Sequence, residues 1–375
     1  MKYSRKDAKA FARENMKGIW AAALMPFNDD LSINEKGFRK NLRHWVDDLG
    51  IDGVFIAGKQ SEFFSMSIAE RKRSMEIVVD EIGKTSGVIA SCSDQNMDVV
   101  IELAKHAQAI GAPYIVVHAP VLHFLHSRDE TLYQYYKTIS EQVDIGIAMW
   151  SHEDSGYLMS PELCARIAEL PNIVAIKYSV PREMYVKLTR MVGDKIQVST
   201  ASEVEWFDNI VELNWRLYLC SSPPYLFQTK ADRRMREYTD LAFKGEVAKA
   251  KVIRDSLNPV REAFRRSRPA EKPPAHSKYW QELMGQVGGR VRPPMLELTE
   301  AEKEATRKAF ETCGLKVPGW TVMRNCASGM QSIDSAMANI LAGRSHLVLA
   351  GGAGALRDGE RLVGRGADHD RDPGD

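Results

Sequence analysis

The 375 residues carry 51 lysines and arginines against 50 aspartates and glutamates, a formal net charge of +1, with 44% apolar and 27% charged residues. Such a length buries a full core, about two domains or one large barrel with an appendage. The balanced charge excludes a chain built to hold nucleic acid or an anionic lipid surface. Five scattered cysteines (Cys92, Cys164, Cys220, Cys313, Cys326) show no Cys-x-x-Cys spacing, which argues against a zinc site or disulfide framework and for a reducing compartment. Met1-Lys2-Tyr3-Ser4-Arg5-Lys6 is not followed by the apolar stretch of a signal peptide, and no run of about 18 apolar residues occurs. The expectation is a cytoplasmic protein without a membrane partner.

Taken in order, a charged helical leader precedes a first strand over Gly18 to Phe27, closed by Pro26. Phe38, Leu42, Trp45, Val46 and Leu49 then recur at helical spacing between Asn34, a capping residue, and Gly50, a stop. A strand at Val54 to Ala57 ends in Gly58-Lys59-Gln60-Ser61-Glu62, and the alternation repeats. Helices are predicted over 68–82, 98–110 and 130–142, from Ser160-Pro161-Glu162, over 182–191 and through Phe207 and Ile210. Strands are predicted at 87–91, 114–117, 145–150, 173–177, 196–200 and 217–220. From Ala231 to Phe264 helices continue alone. After the linker-like 268–274 come a helix around 279–284 and another from Thr299 to Cys313.

Eight strands alternating with helices argue for an α/β fold of the (β/α)8 type, a TIM barrel with a C-terminal helical extension. In such barrels the loops after the strands converge on one face, where chemistry resides. The sixth strand, Ile173-Val174-Ala175-Ile176-Lys177, is a continuous apolar run that reads as buried on both faces and delivers a lysine at that mouth. Desolvation disfavours the ammonium form, and a lysine that is neutral part of the time attacks a carbonyl to form a Schiff base. The competing reading is a strand-end lysine that snorkels to water or pairs with a carboxylate. Gly58 to Glu62, His152 and Ser221-Ser222 open onto the same mouth. A histidine there suits general acid–base work because its ordinary pKa lies near neutrality; an exposed loop histidine is the bland alternative. His118, His123 and His126 cluster after the fourth strand, with no carboxylate placed to complete a metal site. Tyr178 alternates away from Lys177 and is expected to pack outside the barrel.

The opening strand ending Met25-Pro26-Phe27, Gly58-x-x-Ser61-Glu62, Leu132-Tyr133-Gln134, Ser160-Pro161-Glu162, Leu170 to Lys177 and Val291-Arg292-Pro293-Pro294 together resemble the dihydrodipicolinate synthase and N-acetylneuraminate lyase family of class I aldolases. The resemblance runs from about Gly18 to about Leu315. It implies a homo-oligomer, dimer or tetramer, in which Lys177 condenses with the ketone of pyruvate or a related 2-oxo acid, without a cofactor or metal. The family's Gly-Thr-Thr-Gly-Glu turn is here Gly58-Lys59-Gln60-Ser61-Glu62, so the hydroxyl pair that holds the keto-acid carboxylate is absent. The family's proton-relaying tyrosine falls at Met149 or, with a one-residue gap, at Trp150, and the tyrosine after strand four falls near Val121-Leu122. The arginine used by true dihydrodipicolinate synthases meets Glu153-Asp154-Ser155, where the charge is reversed. The expected function is therefore a Schiff-base lyase or aldolase distinct from dihydrodipicolinate synthase, acting on a small 2-oxo acid or aldehyde. Lys177 and His152 are its catalytic candidates, with Lys59, Gln60, Ser61, Trp150, Ser221 and Ser222 binding substrate. A barrel that keeps the scaffold and only binds a small molecule or partner is the alternative that the missing tyrosines favour.

From Val317 the text changes. Asn325-Cys326-Ala327-Ser328-Gly329-Met330 and Ala342-Gly343-Arg344 through Gly352 resemble the nucleophile segment of thiolases, in which Cys326 would take up an acyl group at a helix N-terminus. The segment lacks the histidine and second cysteine that thiolases supply later, and a short α/β piece cannot bury its apolar faces alone. Acyl transfer is thus a remote reading, Cys326 is vestigial, and a fused or mispredicted reading frame explains the segment better. The organisation expected is a barrel over 1–230, helices of the same unit over 231–316, an incomplete thiolase-like α/β fragment over 317–356 and a disordered polar tail over 357–375.

Overall fold

The computed structural model describes residues 3–123, 127–219, 221–316 and 337; Cys326, the thiolase-like fragment and the tail lie outside the described residues, as do Cys220 and His126. Strands and helices alternate as α1 (Ala8–Asn15), β1 (Gly18–Ala22), α2 (Glu35–Arg43), β2 (Gly53–Ile56), α3 (Ile68–Ile82), β3 (Gly87–Ser91), α4 (Met97–Ala109) and β4 (Tyr114–His118). They continue as α5 (Arg128–Gln142), β5 (Gly146–Ser151), α6 (Pro161–Ile167), β6 (Ile173–Tyr178), α7 (Arg182–Val192), β7 (Gln197–Ser199), α8 (Glu203–Leu213) and β8 (Leu217–Leu219). Six helices follow: α9 (Pro223–Leu226), α10 (Arg234–Phe243), α11 (Val247–Asp255), α12 (Asn258–Ser267), α13 (Pro273–Leu283) and α14 (Glu300–Thr312).

All eight strands are parallel in the order β7-β6-β5-β4-β3-β2-β1-β8, the sequence-adjacent order of a (β/α)8 barrel. Among the described residues no backbone ladder joins β7 to β8; the Leu219 N–H instead donates to Ser199 Oγ at 2.7 Å across that seam. The first strand is shorter than its apolar run suggests. Ala23 to Phe27 stay buried but leave the ladder, and Phe27 makes isolated bridges to Ile33 and Arg290. Helix α13 begins earlier than its spacing shows, because Pro273 and Pro274 occupy the first helical positions, where a missing N–H costs nothing. Asn34 caps α2 by accepting from the Gly37 N–H at 2.8 Å, and Thr299 with Glu302 forms a capping box on α14.

Two large buried clusters make up most of the core, beside a small third one of Ala275, Val291 and Leu298. The outer one lies between strands and helices; the inner one fills the barrel with Trp20, Phe55, Ile89, Tyr114, Val116, Trp150, Leu217 and Leu219. Trp20 lies against the floors of β2 and β3, where a Cβ at Gly53 or Gly87 would stand 2.2 or 2.3 Å from its indole. Helix α1 closes the bottom, adding Ala8, Ala12 and Met16 to the inner cluster. The plugged bottom leaves the opposite face, at the carboxyl ends of the strands, for ligands.

Candidate active site

Lys177 reaches that face through an irregularity in β6. Ile147 pairs with Ile173, but Ala148 pairs with Ala175, so one extra residue is accommodated at Val174. Strict alternation from Ile173, which packs in the outer cluster, would turn Lys177 outward. The bulge instead puts Val174 and Ala175 in the inner cluster, returns Ile176 to the outer one, and aims Lys177 inward. Its Nζ lies 4.8 Å from the centroid of the Phe55 ring and 5.0 Å from Trp150, and the residue is 3% exposed. Tyr178 packs in the outer cluster as expected, its hydroxyl donating to Met159 O at 2.6 Å.

The ladder aligns Lys177 with Trp150 and Ser199, and Trp150 in turn with His118. Neighbouring residues of a parallel ladder face the same way, so His118, Trp150, Lys177 and Ser199 form one inward rung at the mouth. Of the two positions that compete for the missing tyrosine, Met149 points outward and Trp150 takes the inner place. The Trp150 Nε1–H is buried and has no hydrogen-bond partner among the described residues. A buried donor left open in a mouth is available to a ligand.

His118 was legible only as one of three clustered histidines, yet it is the best-placed base. Its Nδ1 lies 2.7 Å from Ala119 O, which assigns the proton to Nδ1 and leaves a lone pair on Nε2. That Nε2 is buried without a partner among the described residues, and the ring stands edge-on to Trp150 at 4.7 Å. Burial lowers its pKa below the ordinary value, so the neutral, proton-accepting form dominates near neutrality. His123 is exposed, and among the described residues no group of three metal-ligating side chains occurs.

His152 follows β5 at the rim. Its Nδ1 accepts from the Asp154 N–H at 3.1 Å. Asp154 Oδ2 lies 3.3 Å from the same nitrogen, an ion pair only if the ring is charged. Burial pushes the His152 pKa down against the pull of Asp154, and the accepted backbone bond fits the neutral ring. Lys59 closes over the same carboxylate, Nζ to Asp154 Oδ2 at 2.6 Å. Gln60 Oε1 and Ser222 Oγ approach to 3.4 Å, Ser222 also facing Ala22 O. Ser61 is buried and its hydroxyl donates to Ala23 O at 2.7 Å, which commits it to the backbone of the turn. Ser221 is half-buried beside Ser222, its carbonyl accepting from the Ala22 N–H. A cleft of about 420 Å³ opens beside the rung, bounded by Lys59, Phe64, Asp94, His118, Val121 and Trp150 among others. Asp94 was not singled out from sequence, and Asp154 entered only as part of Glu153-Asp154-Ser155, at the place of the missing arginine.

The turn after β2 is held from below. Glu62, fully buried, sits 2.6 Å from the Lys278 ammonium of α13 and accepts from the Arg292 N–H at 2.9 Å. Arg292 in turn pairs with Glu70 at 2.6 Å. The C-terminal helices therefore fix the loop that carries Lys59 and Gln60.

A buried lysine at the carboxyl end of strand six faces the mouth of a parallel (β/α)8 barrel, a position from which an amine can form a Schiff base with a carbonyl. The family model for the Dihydrodipicolinate synthetase family matches residues 15–313, and the chain belongs to that family. Its members are carbon–carbon lyases of the class I aldolase type. A 4-hydroxy-tetrahydrodipicolinate synthase of Afipia carboxidovorans is 28% identical over 307 residues, which are 81% of this chain and 99% of that protein. An N-acetylneuraminate lyase of Clostridium perfringens is 35% identical over 166 residues, 44% of this chain and 57% of the relative. The fold also superposes on a dihydrodipicolinate synthase from Acinetobacter baumannii complexed with pyruvate, with TM-score 0.71 and 22% identity over 80% of this chain and all of that one. A second model, for the thiolase N-terminal domain, matches residues 291–364.

Proposed function

We propose that the protein is a Schiff-base-forming lyase or aldolase acting on pyruvate or a related 2-oxo acid through Lys177. The observation that carries this reading is the rung of His118, Trp150, Lys177 and Ser199, which sets an inward, 3% exposed amine on one side of Trp150 and a neutral imidazole on the other, at the open face. The Lys177 amine attacks the C2 carbonyl, the carbinolamine loses water, and the resulting iminium accepts the electron pair of the breaking C3–C4 bond. His118 Nε2 takes the C4 hydroxyl proton, and His152 at the rim serves proton exchange with water. Gln60, Ser221 and Ser222 supply hydrogen bonds to the keto-acid carboxylate, while Ser61 braces the turn. Dihydrodipicolinate synthesis is disfavoured because Glu153-Asp154 stands where a carboxylate-binding arginine would be, and Asp154 already neutralises Lys59. A homo-oligomer, a dimer or tetramer, and a cytoplasmic location complete the reading. No helix among the described residues is long and apolar enough to cross a membrane.

Incubation with pyruvate and borohydride, then peptide mass spectrometry, is expected to find the reduced adduct on Lys177 and on no other lysine. Absence of modification by a panel of 2-oxo acids would overturn the assignment and favour a barrel that only binds. Size-exclusion chromatography with light scattering checks the oligomer.

A further inference from the structure

Resting on the Schiff-base reading, the cleft on the His118 and Trp150 side of the rung that carries Lys177 also bears on what is joined to the keto acid. Four ionisable side chains border it: Lys59, Asp94, His118 and Asp154. Each charge is already answered within the protein. Lys59 is paired with Asp154 at 2.6 Å, and Asp94 with the buried Arg71 at 3.0 Å, while Arg71 also donates to Ser93 O at 2.7 Å. His118 is held neutral by burial. An incoming carboxylate or phosphate would have to break one of these pairs to find a cation, and it would meet two carboxylates on the way.

Apart from Ser93 and Gln95, whose side-chain oxygens accept from the His118 and Val121 N–H groups, the remaining wall is apolar. Phe64 and Val121 are 49% and 41% exposed, and both line this cleft with Trp150. Apolar side chains left bare in a concave site lose water only when something apolar covers them. Polar groups for one carbonyl or hydroxyl are nonetheless present, in the open Trp150 Nε1–H and the His118 Nε2 lone pair. The volume of about 420 Å³ suits the aldehyde half of such a substrate, since a cavity of roughly 150 Å³ takes one benzene ring.

We propose that the aldehyde half of the substrate is an uncharged aromatic group, seated against Phe64, Val121 and Trp150, so that the enzyme cleaves or forms a 4-aryl-4-hydroxy-2-oxo acid. In cleavage the C4 hydroxyl proton passes to His118 Nε2, the C3–C4 electron pair moves into the Lys177 iminium to give the enamine, and the aryl aldehyde departs. The enamine carbon regains a proton and water hydrolyses the iminium, returning pyruvate and the free amine. No oxidant or reductant enters.

The test uses the full chain with pyruvate and three aldehydes: benzaldehyde, the anionic succinic semialdehyde and the polar glyceraldehyde, with condensation products quantified by mass spectrometry. The expected result is kcat/KM for benzaldehyde at least tenfold above either of the others. An equal or reversed order, with pyruvate still trapped on Lys177, overturns the aromatic assignment and leaves the Schiff-base reading intact; no trapping at Lys177 overturns both. Val121→Lys, checked for folding by circular dichroism and thermal melting, is expected to narrow the benzaldehyde preference over succinic semialdehyde at least tenfold. An unchanged ratio in a folded Val121→Lys protein would also overturn the proposal. Asp154→Asn, which frees the Lys59 ammonium, is expected to raise the rate with succinic semialdehyde at least fivefold.

Discussion

His118 shows what a single residue can and cannot disclose from sequence. Its type and its place after the fourth strand were legible, as part of a trio with His123 and His126. Which imidazole nitrogen is open was not, because that depends on the 2.7 Å contact between Nδ1 and the Ala119 carbonyl, a backbone geometry without a sequence signature. The same holds for Ser61, whose hydroxyl was a reasonable substrate donor until its bond to Ala23 O consumed it. Burial disfavours the imidazolium of His118 and lowers its pKa. A base works when deprotonated, so the lowered value extends activity toward acid, and the acid limb of the kcat profile is expected to lie below pH 6.5. His118→Gln is expected to lower kcat on the order of 10²- to 10⁴-fold and to remove that limb, whereas His152→Gln leaves it in place. Stopped-flow or discontinuous assays from pH 4.5 to 8 measure both; a limb that vanishes with His152 instead would transfer the base role to the rim.

At the scale of elements, the strands were readable because a parallel sheet covered on both faces demands continuous apolar runs. Direction within a strand was less so. Alternation from Ile173 points Lys177 away from the barrel, and only the register shift between Ile147 and Ala148 reverses it. A bulge of this kind leaves little trace in a run of Val174, Ala175 and Ile176, all of which suit either face. Close packing at the barrel floor was equally silent, since a glycine at a strand start reads as a turn residue. Gly87 has another reason to be glycine: an added Cβ would meet the Trp20 indole at 2.3 Å, and the rigid ring is fully buried. Gly87→Ala is therefore expected to destabilise the protein by about 1–3 kcal/mol through overpacking. Combining it with Trp20→Leu, which vacates the contact, should cost less than the two single changes added together. Urea unfolding of the four proteins gives the coupling energy, and strict additivity would show that the ring yields elsewhere.

For the whole molecule, the barrel and the helices after it work as a unit at one point that the sequence marked only as a recurring motif. Glu62 ends the turn after β2, and Lys278 lies more than two hundred residues further on, in α13. Their side chains meet at 2.6 Å with exposures of 0% and 1%, close to the Phe27 ring, which the ammonium approaches to 4.5 Å. Burial pulls the Lys278 pKa down while Glu62 pulls it up, and burial is the larger influence. Such a pair adds little over an apolar replacement, but removing one partner strands the other charge away from water. Lys278→Met is accordingly expected to cost about 3–5 kcal/mol. The loss should be accompanied by slower borohydride trapping at Lys177, because the loop bearing Lys59 and Gln60 loses its anchor. Glu62→Gln together with Lys278→Met should recover at least half of that stability, since the amide can still accept from the Arg292 N–H without carrying a charge. Urea melts at pH 7 and trapping rates on the three proteins separate the two effects. If Lys278→Met trapped pyruvate at the parental rate despite its lost stability, the C-terminal helices would support the barrel without shaping its mouth.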